Sequence, residues 1–133
     1  MIQPQKINLK SIGSTDLGYI TVAQYQDNIP FEIKRVYWTY YTPNLVTRGH
    51  HAHKELHQCI FAVSGRIEFE LINVKGEKKQ FVLDSPEKGL YIPPMHWRTI
   101  NFSHSAVLLC LASEVYKKED YIRDFDQFIQ STQ

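Results

Sequence analysis

Arg48-Gly49-His50-His51-Ala52-His53-Lys54-Glu55-Leu56-His57-Gln58-Cys59-Ile60-Phe61-Ala62-Val63-Ser64-Gly65-Arg66-Ile67-Glu68-Phe69-Glu70-Leu71 is the stretch that decides the fold. Its last third alternates. Ile67, Phe69 and Leu71 fall on one side of an extended chain, and Arg66, Glu68 and Glu70 fall on the other. Ser64-Gly65 marks a turn. The run Leu56 to Val63 before it is apolar enough for a buried strand.

Strand-like segments continue outward from there. They are Lys6 to Ile12, Leu17 to Tyr25 and Ile33 to Thr42 on one side. On the other side come Arg66 to Val74, Gln80 to Leu83, Leu90 to Ile92, Trp97 to Phe102 and Ala106 to Ala112. Lys75-Gly76-Glu77-Lys78 reads as a hairpin tip, and Ser85-Pro86-Glu87-Lys88-Gly89 as a loop. Ala106 to Ala112 is apolar on both faces, which predicts a central strand. In the tail, Tyr121, Phe125, Phe128 and Ile129 recur at spacings of three and four, which predicts a helix over Lys117 to Ile129. Many short strands and one terminal helix predict an all-β sandwich rather than an alternating α/β fold. The 133 residues form one expected domain, 1–133, with no repeat or linker.

A formal net charge of +1 points to no nucleic-acid partner. The apolar runs are far shorter than a bilayer span, so no membrane partner is expected. Cys59 and Cys110 lie inside apolar runs and read as buried reduced thiols. With no charged-then-apolar leader at the start, a cytoplasmic location is expected.

Four of the six histidines, His50, His51, His53 and His57, fall within eight residues. On a strand, His51 and His53 share one face, and His50 and Ala52 share the other. Two imidazoles converging on one pocket suit proton transfer, because an ordinary histidine titrates near neutrality. The pattern His51-x-His53, then Gln58, then Gly65 resembles the first cupin motif. The cupin pattern has Glu where this chain has Gln58 and an upstream glycine where it has Leu45. Its second motif, anchored on Pro93, has a metal-binding His where this chain has Arg98 and a glycine where it has Met95. The resemblance implies a cupin-type jelly-roll sandwich with a degraded metal set. Arg is a permanent cation and no ligand, so no metal and no cofactor are expected. A rival metal site of His51, His53 and His96 stays open at this point.

Over nearly its whole length the chain resembles the sugar 3,4-ketoisomerases that act on dTDP-4-keto-6-deoxyglucose. The carrying segments are Asn28-Ile29-Pro30-Phe31, Lys34-Arg35-Val36-Tyr37, Arg48 to Lys54, Leu83-Asp84-Ser85-Pro86, Gly89 to Pro94, Leu111-Ala112-Ser113 and Asp120-Tyr121-Ile122-Arg123-Asp124. The resemblance implies a metal-independent homodimeric isomerase acting on a dTDP-linked keto sugar. Its product would feed the synthesis of 3-amino-3,6-dideoxyhexoses for surface glycans. It implies His51 as the base, with His53 and Tyr37 as catalytic partners and Arg48 on the diphosphate. From position alone, Arg35, which shares a strand face with Tyr37, and Lys54, Arg98 and His96 are further substrate-binding candidates. His57 and His104 read as structural or surface residues, and Glu55 and Glu114 belong to no constellation. Two other readings remain: a cupin that binds a nucleotide sugar without turnover, and a 3,5-epimerase, which would pair its histidine with a carboxylate.

Overall fold

In the computed structural model, residues 3–131 are described; they form a sandwich of two five-stranded antiparallel sheets. Twelve strands run in chain order: β1 (Gln5–Asn8), β2 (Ser11–Ser14), β3 (Gly18–Thr21), β4 (Arg35–Tyr40), β5 (Thr47–His53), β6 (Gln58–Ser64), β7 (Ile67–Ile72), β8 (Lys78–Leu83), β9 (Lys88–Ile92), β10 (Trp97–Phe102), β11 (Val107–Ala112) and β12 (Tyr121–Ile122). One helix, α1 (Phe125–Gln130), follows. The first sheet has the order β1-β9-β6-β11-β4 and the second β12-β5-β10-β7-β8, while β2 and β3 pair only with each other. These crossovers are those of a cupin-type jelly roll, the all-β fold that the histidine motif implied.

The core lies between the sheets, where Ile67, Phe69 and Leu71 of β7 meet Ile60, Leu90, Leu108 and Cys110. The alternation read in the sequence thus places the apolar side of β7 inward. β11 is apolar on both faces because each is covered: Leu108 and Cys110 face the core, and Leu111 packs with Phe61, Tyr91 and Ile29 on the outside of the first sheet.

Two expected elements differ from those found. Lys6 to Ile12 is two strands, β1 on the sheet and β2 in the separate hairpin. Between them Leu9 turns into the outer apolar cluster. The helix expected over Lys117 to Ile129 is shorter. Lys118–Asp120 is one 3-10 turn, Tyr121 and Ile122 pair with His53 and Ala52, and only then does α1 begin. Asp124 caps it, with Oδ1 accepting from the backbone N–H of Asp126 and Gln127. Phe128, fully buried against Trp97 near Ala52, anchors α1, a burial worth about 1.5–3 kcal/mol. The three-and-four spacing was real from Phe125 onward, but Tyr121 belongs to a sheet edge.

Candidate active site

β5 carries the histidines and is not a plain strand. Arg98 opposes His51 and Thr99 opposes Gly49, so His50 is an extra residue that bulges out. Gly49 and His50 both have positive φ, 92° and 53°. A Cβ on Gly49 would lie 2.8 Å from the backbone oxygen of Arg98, so only glycine fits there. The bulge twists the strand and brings His51 into a cleft of about 530 Å³ between the sheets.

Arg35, Tyr37 and Thr39 of β4 line the same cleft, as do Arg48, Gly49 and His50 of β5, and Tyr121 and Arg123 from the tail. Three arginines and no carboxylate line it, which makes it a receptor for an anion. Arg35 lies against the rings of Tyr37 and Tyr116, at 5.6 and 5.7 Å, and its Nε is buried without a hydrogen-bond partner among the described residues. Arg123 sits 4.2 Å over the ring of Tyr121.

The two imidazoles meet edge to face, with centroids 4.9 Å apart. His51 holds its Nδ1 2.8 Å from the carbonyl oxygen of Gly49. A carbonyl only accepts, so Nδ1 carries the proton and Nε2 keeps its lone pair. Burial, joined by the Arg98 cation, lowers the pKa of His51 to about 4. His53 is buried behind it, and burial and Arg98 lower its pKa as well, so both rings are neutral at neutral pH. Its Nδ1 lies 2.8 Å from Oδ2 of Asp120.

Asp120 is the residue the sequence reading missed. No carboxylate partner for a histidine was visible, because Asp120 lies 67 positions from His53 in a segment patterned like a helix. The one available signal was its place in the Asp120-Tyr121-Ile122-Arg123-Asp124 segment that carried the family resemblance.

Beneath the histidines lies a buried polar group. Gln58 donates from Nε2 to the Tyr37 hydroxyl at 2.9 Å and to Sγ of Cys110 at 3.3 Å. Its Oε1 accepts from Nη1 of Arg98, whose Nη2 donates to the backbone oxygen of His96 at 3.2 Å. Arg98 is 2% exposed and forms no ion pair among the described residues. Burial pulls its pKa down, yet a guanidinium keeps its proton at neutral pH. Burial and the neighbouring Cys110 raise the pKa of Tyr37, so its phenol stays protonated and able to donate.

Besides His53, buried behind His51, three candidates lie apart from the cleft's lining. Arg98 stands under it, against Gln58. His96 lines a separate, small cleft with Gln3, Pro4, Asn73 and Lys79. Ahead of β10 the positive-φ Met95 turns the chain, and its N–H donates to the His53 carbonyl, so the strand parity that would align His96 with Arg98 ends before it. Lys54 lines a shallow groove with Met95, Ile122 and Gln127. His57 hydrogen-bonds the Tyr91 hydroxyl at 2.7 Å, and His104 lies at the surface beside Tyr41.

A family model described as FdtA: WxcM-like, C-terminal, matches residues 3–133. The chain is 37% identical over 123 residues to a TDP-4-oxo-6-deoxy-α-D-glucose-3,4-oxoisomerase of Aneurinibacillus thermoaerophilus, covering 92% of this chain and 87% of that protein. It resembles the crystal structure of QdtA, a sugar 3,4-ketoisomerase from Thermoanaerobacterium thermosaccharolyticum in complex with TDP. The TM-score is 0.91 and the identity 39%, over 96% of this chain and 93% of that chain. A histidine-to-asparagine variant of QdtA, in complex with TDP-4-keto-6-deoxyglucose, matches with a TM-score of 0.92 at 37% identity, over 98% of this chain and 94% of that chain.

Proposed function

The chain belongs to the FdtA family of WxcM-like C-terminal domains, and on that premise we propose that it is a sugar 3,4-ketoisomerase converting dTDP-4-keto-6-deoxyglucose to a dTDP-3-keto-6-deoxyhexose. One observation carries the reading. A neutral His51, with Nδ1 tied to Gly49 and Nε2 left as a base, faces a cleft lined by Arg35, Arg48 and Arg123 with no carboxylate.

The chemistry follows from those groups. The C4 carbonyl acidifies the C3–H bond. His51 Nε2 takes the C3 proton while the carbonyl oxygen takes up a proton, giving an enediol. The neutral Tyr37 phenol is the donor toward that oxygen. Delivery of a proton to C4 and loss of the O3 proton leave the ketone at C3 and a hydroxyl at C4. His53, 4.9 Å from His51 ring to ring, shares these transfers. The arginines at the mouth hold the diphosphate, which Arg binds in a two-pronged fashion.

The pairing of His53 with Asp120 gives the epimerase reading its carboxylate, but the identities to ketoisomerases weigh against it. The test is direct. Incubation with dTDP-4-keto-6-deoxyglucose and a 3-aminotransferase is expected to yield a 3-amino-3,6-dideoxyhexose by NMR, with solvent deuterium at C4. Recovery of unchanged or C3/C5-epimerised 4-keto sugar overturns the reading.

We further assign a homodimer. The outer face of β4 bears Trp38 (60% exposed) and Tyr40, and the β2–β3 hairpin bears Tyr19 (59%) and Ile20. An apolar groove of about 510 Å³ runs between that hairpin and Phe61, Leu109 and Leu111. A two-stranded hairpin is marginal alone, and an apolar face of this kind is rare on a monomer; a second copy laid on it supports both. No helix among the described residues is long and apolar enough to cross a membrane. The free thiols of Cys59 and Cys110 suit a reducing cytoplasm.

A further inference from the structure

We propose that Asp120 is a positioning residue for this reaction: its carboxylate holds His53 in the tautomer protonated on Nδ1, so that Nε2 beside His51 is left to take up and return a proton. The inference rests on the ketoisomerase reading.

The carboxylate is fixed at both oxygens. Oδ2 accepts from His53 Nδ1 at 2.8 Å, and Oδ1 accepts from the backbone N–H of Glu55 at 2.7 Å. Its main chain is tied as well: the Lys54 N–H donates to the Asp120 carbonyl at 2.9 Å, and the Asp120 N–H to that of Lys117 at 3.1 Å. β12, which begins at the next residue, pairs Tyr121 with His53. The Tyr121 ring packs tilted against the His53 ring, with centroids 4.5 Å apart. The side chain cannot rotate without losing one of its partners.

A carboxylate only accepts, so the His53 proton must sit on Nδ1. Asp120 is the one hydrogen-bond partner of the His53 imidazole among the described residues. His51 is anchored the same way, with Gly49 in place of Asp120. Both rings are thus tied at Nδ1 and, among the described residues, unengaged at Nε2, the arrangement a two-imidazole relay needs. A carbonyl anchor and a carboxylate anchor differ in one respect: the carboxylate also stabilises the imidazolium that forms when Nε2 takes a proton. The carboxylate thus opposes the burial that keeps His53 neutral in the resting enzyme, and it lowers the cost of the imidazolium formed in the transfer.

The variant Asp120→Asn separates tautomer control from packing. A carboxamide has one oxygen. If it stays on the Glu55 N–H, its NH₂ faces His53 Nδ1. A backbone N–H cannot move its proton, but an imidazole can shift one across the ring, so His53 is the group that yields and becomes protonated on Nε2. Nitrogen-15 NMR of histidine-labelled protein at neutral pH reads this without substrate. The unmodified protein is expected to show His53 protonated on Nδ1, and Asp120→Asn to show it protonated on Nε2. Turnover of dTDP-4-keto-6-deoxyglucose is expected to fall roughly 10²–10⁴-fold, with KM within about threefold. Protonation on Nε2 in the unmodified protein overturns the proposal even if the variant fails to fold. So does a variant that loses only KM, or one that keeps turnover within about threefold. Expected tautomers with no turnover by the unmodified enzyme overturn the reaction and Asp120's part in it. An active enzyme with the wrong tautomer overturns Asp120 alone.

Discussion

Arg98 donates a hydrogen bond from Nη1 to Oε1 of Gln58, joining two buried side chains on facing sheets. In the cupin pattern those two places hold a metal-binding imidazole and a carboxylate. Here one is a fixed cation and the other a neutral amide that reaches on to Tyr37. A divalent ion approaching His51 and His53 meets a positive charge that cannot titrate away. His96, the third imidazole a metal would need, opens on a different cleft. Turnover is therefore expected to be unchanged by chelator and by added zinc, iron or nickel. Stoichiometric metal in untagged protein, with loss of activity on chelation, contradicts this.

Replacing His51 by Asn should leave the fold and nucleotide affinity intact and lower turnover roughly 10²–10⁴-fold. His53→Asn should cost less than His51→Asn, or as much if the two rings act as a relay. Tyr37→Phe should cost least of the three, because a donor to the carbonyl oxygen assists but does not carry the carbon-bound proton. Steady-state rates with the keto sugar check the order. A dead His53→Asn beside a near-native His51→Asn makes the second histidine the base.

The low pKa of His51 makes a statement about pH. At about 4, against an ordinary 6.5, the free base persists well into acid. The acid limb of kcat/KM should therefore fall near pH 4 rather than near 6.5. Stability runs in the same direction. Between those two values the unfolded chain binds a proton on His51 that the folded chain refuses, so stability declines as pH falls through that window. Rate and urea titrations at several pH values read both, and a limb centred near 6.5 would place a different group in control.

Arg48 lies exposed at the cleft mouth on β5. Arg48→Ala should weaken dTDP binding by roughly 1.5–3 kcal/mol, the range for a hydrogen bond to a charged group, and raise KM far more than it lowers kcat. Calorimetry showing unchanged dTDP affinity removes Arg48 from the diphosphate site.

Trp38 points outward from β4 between Val36 and Tyr40, while Arg35, Tyr37 and Thr39 point inward. Trp38→Arg should thus keep the core and abolish the dimer. Sedimentation should show the unmodified chain at twice the monomer mass and the variant at one. A monomeric unmodified chain at micromolar concentration contradicts the assignment.

Part of this site was legible in one dimension. His51 and His53 share a face because a strand repeats every two residues, and Arg35 and Tyr37 share the cleft for the same reason. Other features depend on geometry that composition hides. The bulge at His50 and the turn at Met95 rest on positive φ at non-glycine residues, which nothing in the sequence pattern announces. Asp120 was hidden because Tyr121 stands four residues before Phe125, as in a helix, and only pairing with Ala52 and His53 makes it a strand. The cleft's arginines come from β4, β5 and the tail, and only the folded sandwich gathers them.

The two-residue strand β12 has a consequence for how such an enzyme diversifies. It is the edge of its sheet and touches only β5 within that sheet. The segment from Lys118 to Arg123 nevertheless supplies a carboxylate, an aromatic wall and a cation to the reacting end of the cleft. The other eleven strands all pair without it, β5 through β10. Inherited changes at Asp120, Tyr121 and Arg123 can alter what the histidines do to a sugar while most of the scaffold bears no cost, so the tail is where new specificities can arise in a lineage without loss of foldability.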